Sequence, residues 1–187
     1  MATRALSISV SVLLFLRATS VVSADVKTAC ADTPYPDYCE TVLSAGPHRE
    51  AADPRALAEI AVHAAAKTSA AAAALARAEE KGIKDGAWWC MDTCAANIED
   101  AAARLGRKTV NLVHVRSFIA RTESDEVVWN CDECRRDGAS KKKDVLSKDG
   151  DLDKIMGVLS VLIKRVGTTS TRVPRTSPSP APAPSSY

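Results

Sequence analysis

The sequence predicts an all-α protein: an up-down-up-down four-helix bundle, preceded by an N-terminal helical hairpin and stapled by disulfides. Aromatic residues make up only 4% of the chain, and alanine dominates its apolar residues, which favours closely packed helices over a β-sandwich. Apolar residues recur at intervals of three and four in successive segments, as in amphipathic helices. Six cysteines offer covalent links between those helices.

Residues 1–24 have the features of a secretory signal peptide. Arg4 supplies a positive charge, Ala5–Leu16 is a short apolar run, and Val22–Ala24 offers small residues for cleavage before Asp25. The run is too short to span a bilayer comfortably, so a retained membrane anchor is the less favoured alternative. We therefore expect an extracellular mature chain, in which an even set of cysteines indicates disulfides.

The mature chain begins with a proline-containing segment between two cysteines, Cys30 and Cys39. Pro34 and Pro36 cannot both lie inside a regular helix, but Pro36 can begin a short helix that continues through Leu43. A bridge from Cys30 to Cys39 would attach the incoming segment to this helix. Its small loop gives about 2–3 kcal/mol in the chain-entropy description of disulfides.

This segment resembles the start of mature chains in the plant invertase and pectin methylesterase inhibitor family, which read Cys-x-x-Thr-x-Tyr-Pro-x-x-Cys. Five residues fall on that pattern: Cys30, Thr33, Tyr35, Pro36 and Cys39. Cys94–Ala101 resembles the family's second helix, and Val115–Ile119 resembles a divergent form of its Val-Lys-Ser-Trp-Leu segment. The resemblance covers residues 30–166 and implies a disulfide-stapled helical inhibitor.

The first bundle helix is predicted to begin at Asp53 and Pro54, with Asp53 as N-cap. We expect it to run to Lys81, with Gly82 as a left-handed stop. His63 lies off its apolar stripe and is interpreted as an ordinary surface or packing residue. The stripe consists of Leu57, Ile60, Ala64, Ala71 and Leu75.

The second helix should return antiparallel after a short turn and end at Gly106. Its predicted core face is Met91, Cys94, Ile98, Ala101 and Leu105. Trp88 and Trp89 precede this face. They are either partly buried against the N-terminal hairpin or exposed as a partner contact.

Four cysteines form two close pairs, Cys90 with Cys94 and Cys131 with Cys134, so on helices each pair would share one face. Antiparallel helices would set Cys94 against Cys131 and Cys90 against Cys134, like two rungs of a ladder. The family resemblance accounts for Cys30–Cys39 and Cys94–Cys131, which leaves Cys90–Cys134 as an additional disulfide. Zinc binding is the alternative for these four cysteines, and the expected oxidising compartment disfavours it.

The third helix is predicted from Val113 and continues to Cys131, with a charged connection after it that includes Lys141–Lys143. Its apolar face comprises Val115, Phe118, Ile119, Thr122 and Trp129. The three lysines are either a solvated loop or a contact with an acidic rim or anionic pectin.

The last helix is predicted over Asp151–Arg165, ending at Gly167, and it should pack against the first helix at the centre of the bundle. Its apolar stripe is Leu152, Ile155, Met156, Leu159, Leu162, Ile163 and Val166. The inhibitor-type domain is then 25–167. The remaining Pro/Ser/Ala-rich tail, 168–187, predicts disorder and resembles modules of plant cell-wall glycoproteins.

No catalytic motif, cofactor-binding loop or metal-binding motif is found in the sequence. The net charge of +2 gives no indication of nucleic acid, and no membrane association is expected after signal cleavage. Catalytic, cofactor-binding and metal residues are therefore predicted to be absent, and the protein is predicted not to be an enzyme.

By resemblance, the protein is a secreted inhibitor that covers the substrate cleft of pectin methylesterase in a stoichiometric complex. The alternatives are an inhibitor of invertase and a non-inhibitory cell-wall protein that contacts pectin. The second, third and fourth helices would form the binding face. Candidate contact residues, all interpreted as exposed, are Asn97, Arg116, Thr122 and Glu126.

Overall fold

The computed structural model describes residues 26–45, 53–84, 88–135 and 143–169, which contain helices and connecting turns and no strand. This confirms the all-α prediction. The helices with defined bounds are α1 (Pro36–Ser44), α2 (Pro54–Glu80), α3 (Trp88–Leu105), α4 (Leu112–Ser124), the short 3₁₀ helix η1 (Asp132–Cys134) and α5 (Asp151–Thr169). Residues 26–30 are also helical. Within the described ranges, no helix has both the length and the apolarity of a membrane span.

The long helix α2 begins as predicted. The Asp53 carboxylate accepts a hydrogen bond from the Arg55 backbone N–H at 3.1 Å, and Pro54 occupies the first turn. The predicted left-handed stop at Gly82 is wrong, since that residue has no positive φ. Its N–H instead donates to the Glu79 carbonyl at 2.9 Å, and the C-cap residue Lys81 keeps a right-handed helical conformation.

The predicted stripe of α2 is partly wrong. Leu57 is buried, but Ala71 is exposed and the other three members are half-buried. Because α2 packs extensively against both α3 and α5, its buried surface is broader than a stripe facing one neighbour. It comprises Leu57, Ala58, Ala61, Val62, Ala65, Ser69, Ala72, Ala73 and Ala76. An alanine-rich helix has little contrast between its faces, which explains the misplaced stripe.

The predicted faces of α3 and α5 agree well with the structure. All five predicted core residues of α3 are buried, and six of the seven in α5 are buried, with Val166 half-buried. Helix α5 packs on α2 as expected, but it continues through Gly167 to Thr169. The signal segment 1–24, Lys141, Lys142 and the tail over 170–187 lie outside the described residues.

Helix α4 is shorter than predicted, because it ends at Ser124 and does not reach Cys131. The N–H of Val127 donates to the Thr122 carbonyl at 2.9 Å and that of Glu126 to the Glu123 carbonyl at 3.3 Å. With Glu126 at a φ of 52°, this is a Schellman C-cap. The up-down-up-down order of the helices stays a prediction.

The N-terminal hairpin, which comprises the helix over residues 26–30 and α1, docks on the beginning of α5 and on the turn before it. The Tyr35 hydroxyl donates to the Asp149 carboxylate at 2.9 Å, and the Tyr38 hydroxyl donates to the Asp151 carbonyl at 3.3 Å. A Cβ at Gly157 would lie 3.0 Å from Pro34 Cγ, so the absence of a side chain there lets the hairpin approach α5 closely.

Candidate partner-binding surface

Three disulfides join the six cysteines in pairs. Cys30 is bonded to Cys39, Cys90 to Cys134 and Cys94 to Cys131, with Cα–Cα distances of 5.6, 5.3 and 5.9 Å. The second cysteine pair spans the 3₁₀ helix η1 rather than the end of a long α-helix. Residues three apart eclipse in a 3₁₀ helix, so both sulfurs still face the first two turns of α3.

These bonds exclude the zinc alternative for Cys90, Cys94, Cys131 and Cys134, because every one of these sulfurs is joined to another cysteine. Zinc binds cysteine as a free thiolate. Among the described residues, no other group of His, Cys, Asp and Glu could hold a metal ion.

A buried arginine attaches the segment after η1 to two other parts of the fold. The Arg135 guanidinium donates to both Glu79 carboxylate oxygens at 2.9 Å and to both Asp144 oxygens at 3.0 and 2.9 Å. Burial disfavours the charged form of Arg135 and by itself would lower its pKa. The hydrogen bonds to Glu79 and Asp144 outweigh this effect of burial, so the pKa of Arg135 is raised. The end of α2, the disulfide-bonded segment and the loop before α5 therefore form one unit.

A second arginine joins α2 to α3 at the surface. Arg77 donates to Glu99 at 2.8 and 2.6 Å and to Glu80 at 2.7 Å, and it also pairs with Asp92. The hydrogen bonds from Arg77 lower the pKa of Glu99. Because several charges share one network, these contacts orient the two helices more firmly than an isolated surface pair would.

The predicted contact residues lie on separate elements. Asn97 on α3 and Arg116 on α4 are exposed, and Glu126 is exposed in the C-cap that follows α4. The prediction that Thr122 is exposed is wrong. Its side chain is buried at 9% exposure, and its hydroxyl donates to the Ile119 carbonyl at 2.9 Å. Thr122 lies on the apolar face of α4, and this face is buried against the rest of the bundle.

Trp88 and Trp89 are 52% and 63% exposed at the start of α3, which favours the exposed alternative over burial against the hairpin. Trp89, Thr93 and Asn97 recur at intervals of four, and all three are exposed. Such spacing puts them on one side of the helix. They form a continuous exposed stripe along the outer side of α3, here called the α3 stripe.

A basic cleft between the end of α3 and α4 was missed by the sequence analysis. Its volume is about 280 Å³, and its lining includes Arg104, Arg107, His114 and Arg121. Arg104 lies in the last turn of α3 and Arg107 follows the end of that helix. His114 precedes Arg121 by seven residues in α4, a spacing that places both on one helix face. That regularity could have indicated a basic surface, but only the packing of α4 against α3 brings the four residues together.

Comparison with protein families gives one match, to the plant invertase/pectin methylesterase inhibitor family, over residues 24–173. Comparison with curated proteins and with solved structures gives no match. The family's proteins are proteinaceous inhibitors of pectin methylesterase or invertase and not enzymes. The matched residues include every described helix, so the chain belongs to the plant invertase/pectin methylesterase inhibitor family.

Proposed function

We propose that this protein is a secreted inhibitor of pectin methylesterase that binds the enzyme stoichiometrically and covers its substrate cleft. The observation that carries the proposal is the family match across the whole described bundle. The sequence lacks the Pro-Lys-Phe tripeptide that invertase inhibitors of the family use after the third helix, which favours pectin methylesterase over invertase. The signal-like segment over residues 1–24 supports secretion.

The rigidity of the bundle supports this role. Two disulfides join the first two turns of α3 to the segment around η1, and the Arg135 network attaches that segment to the end of α2 and to the loop before α5. A surface that is already ordered loses little conformational entropy on docking, so more of its contact energy appears as affinity. An inhibitor needs that property because it competes with substrate for the same cleft.

We place the contact surface on the α3 stripe and the exposed face of α4. Tryptophan is enriched among residues that dominate binding energy at interfaces, and Trp89 heads a stripe that continues to Asn97. Arg116 extends this surface onto α4, and Glu126 lies beyond the end of that helix. Thr122 is left out because its hydroxyl is used inside the bundle.

The direct test is a titration of the oxidised mature protein into pectin methylesterase and, separately, into acid invertase, following residual activity. A linear fall to an equivalence point with the first enzyme alone is expected. The same fall with invertase alone would identify the alternative target. Flat activity with several isoforms of both enzymes would reject inhibition and favour a non-inhibitory wall protein, which would be retained on de-esterified pectin and released by salt.

The surface is tested with matched variants. Trp89→Ala and Asn97→Ala should weaken inhibition, with Trp89→Ala reducing affinity at least about 30-fold if it is an interface hot spot worth 2 kcal/mol. His63→Ala is the control, because His63 is exposed on α2, away from the proposed face. Equal inhibition by all three variants would remove the α3 stripe from the interface while leaving the inhibitor proposal itself intact.

A further inference from the structure

The basic cleft carries more positive charge than its surroundings neutralise. Arg104 Nε donates to both Asp100 oxygens at 2.8 and 2.6 Å, so this guanidinium is compensated. The side chains of Arg107, His114 and Arg121 have no hydrogen bond or ion pair within the described chain. No carboxylate is among the described residues that line the cleft. Two uncompensated guanidinium groups therefore face the same space.

The floor of the cleft is apolar and fixed. Val115 and Phe118 are 5% and 4% exposed, and both line the cavity. The Arg104 guanidinium carbon lies 5.8 Å from the centre of the Phe118 ring, a cation–π distance that orients this arginine over the floor. The cleft therefore combines an apolar base with a charged rim, as small-molecule sites do.

This combination selects a class of ligand. Guanidinium groups bind carboxylates through two parallel N–H···O bonds, so the rim suits one or two carboxylates. An inorganic anion would use the rim and leave the floor formed by Val115 and Phe118 without a contact. A volume of about 280 Å³ lies at the lower limit of small-molecule sites, so the ligand is compact.

We propose that the basic cleft binds a compact ring-shaped carboxylate of the uronic acid type, with Arg107 and Arg121 pairing with the carboxylate. The ring lies over Val115 and Phe118, and the Ser117 hydroxyl, which also lines the cleft, supplies a polar contact. Ligand binding at this site goes beyond the proposed inhibition and does not depend on it. Its source is either a free sugar acid or a single residue of a carboxylated polysaccharide.

The test uses the oxidised mature protein without any enzyme. Galacturonate, an oligogalacturonate, galactose and inorganic phosphate are titrated separately, and binding is followed by calorimetry and by NMR shifts of the α4 amides. We expect saturable one-to-one binding of galacturonate and at least about tenfold weaker binding of galactose, which lacks the charged hydrogen bonds of the carboxylate. Phosphate should also bind at least about tenfold more weakly, because it makes no contact with the apolar floor. Tighter binding of the oligogalacturonate would identify a polysaccharide as the source, and equal affinity a free sugar acid.

Matched variants distinguish binding in the cleft from a general attraction of anions to the positive charges of the protein. Arg107→Gln and Arg121→Gln should each reduce galacturonate affinity about tenfold or more, and Arg121→Glu should abolish binding. Lys148→Gln is the control, because it removes an exposed positive charge outside the cleft. Circular dichroism checks that the variants stay folded. Phosphate binding as tight as galacturonate, equal losses in the Lys148 control, or no saturable binding would each overturn the proposal.

Discussion

Replacing Arg135 by methionine should reveal how strongly the segment after η1 depends on one buried cation. The Arg135 side chain is 1% exposed and is paired with Glu79 and Asp144. Methionine keeps much of the volume of the apolar stem but removes the guanidinium. All four hydrogen bonds to the two carboxylates are then lost, and both acids remain in place without a counterion.

The expected loss of stability depends on the two carboxylates that remain when the Arg135 guanidinium is removed. Removing one partner of a buried ion pair costs about 3–5 kcal/mol, because the other charge stays in a poorly solvated site. Glu79 and Asp144 keep 26% and 13% of their side-chain exposure, so water can solvate part of each carboxylate. We therefore expect a loss of about 3 kcal/mol in the free energy of unfolding, at the lower end of that range. This is a large part of the stability of a typical domain.

Urea unfolding of the oxidised protein at neutral pH measures this loss from the shift in midpoint at constant slope. Arg55→Met is the control, because the exposed pair with Glu59 is of a kind worth only about 0.3–0.5 kcal/mol. Combining Arg135→Met with Glu79→Gln and Asp144→Asn should recover much of the loss. A loss no larger than that of the control, or no recovery in the triple variant, would refute the buried-charge explanation.

Three further predictions concern the helix end, the tyrosines and the added disulfide. Glu126→Gly should stabilise the protein by about 0.5–1 kcal/mol, since glycine relieves the left-handed backbone; a lower urea midpoint would contradict this. Burial, and to a smaller extent nearby carboxylates, raises the pKa of Tyr35 and Tyr38 to about 12. The stability that these phenols contribute is therefore complete below their ordinary pKa of 10.0. It declines as the pH rises from there to about 12. In the double variant Tyr35→Phe/Tyr38→Phe, the urea midpoint should no longer fall over this alkaline range. An unchanged fall would show that other groups cause it. Replacing Cys90 and Cys134 by alanine should lower the midpoint about as much as breaking Cys94–Cys131, and much less than breaking both bonds, because either bond alone closes nearly the same loop; thiol-labelling mass analysis verifies which bonds remain.

The local features were readable from the sequence because their causes lie within a few residues. Pro36 begins α1, Asp53 and Pro54 begin α2, and the core face of α3 is buried as its spacing predicts. The spacing of the cysteine pairs also led to the pairs joined in the structure. It did so although Cys131–Cys134 forms a 3₁₀ turn, because both helix types place the two sulfurs on one side.

Other features depend on contacts between distant parts of the chain, and no local pattern contains them. Alanine around α2 gives little contrast between faces, so only the packing of α3 and α5 decides which alanines are buried. The end of α4 is a left-handed cap at Glu126, a residue type with little preference for that conformation. Arg135 meets Glu79 across 56 residues, and the basic cleft forms only when α4 lies against α3. Sequence alone therefore determined the helices, the family and the covalent links, whereas tertiary packing decided the buried faces, the charge network and the cleft, because these require residues that are distant in the chain to meet in space.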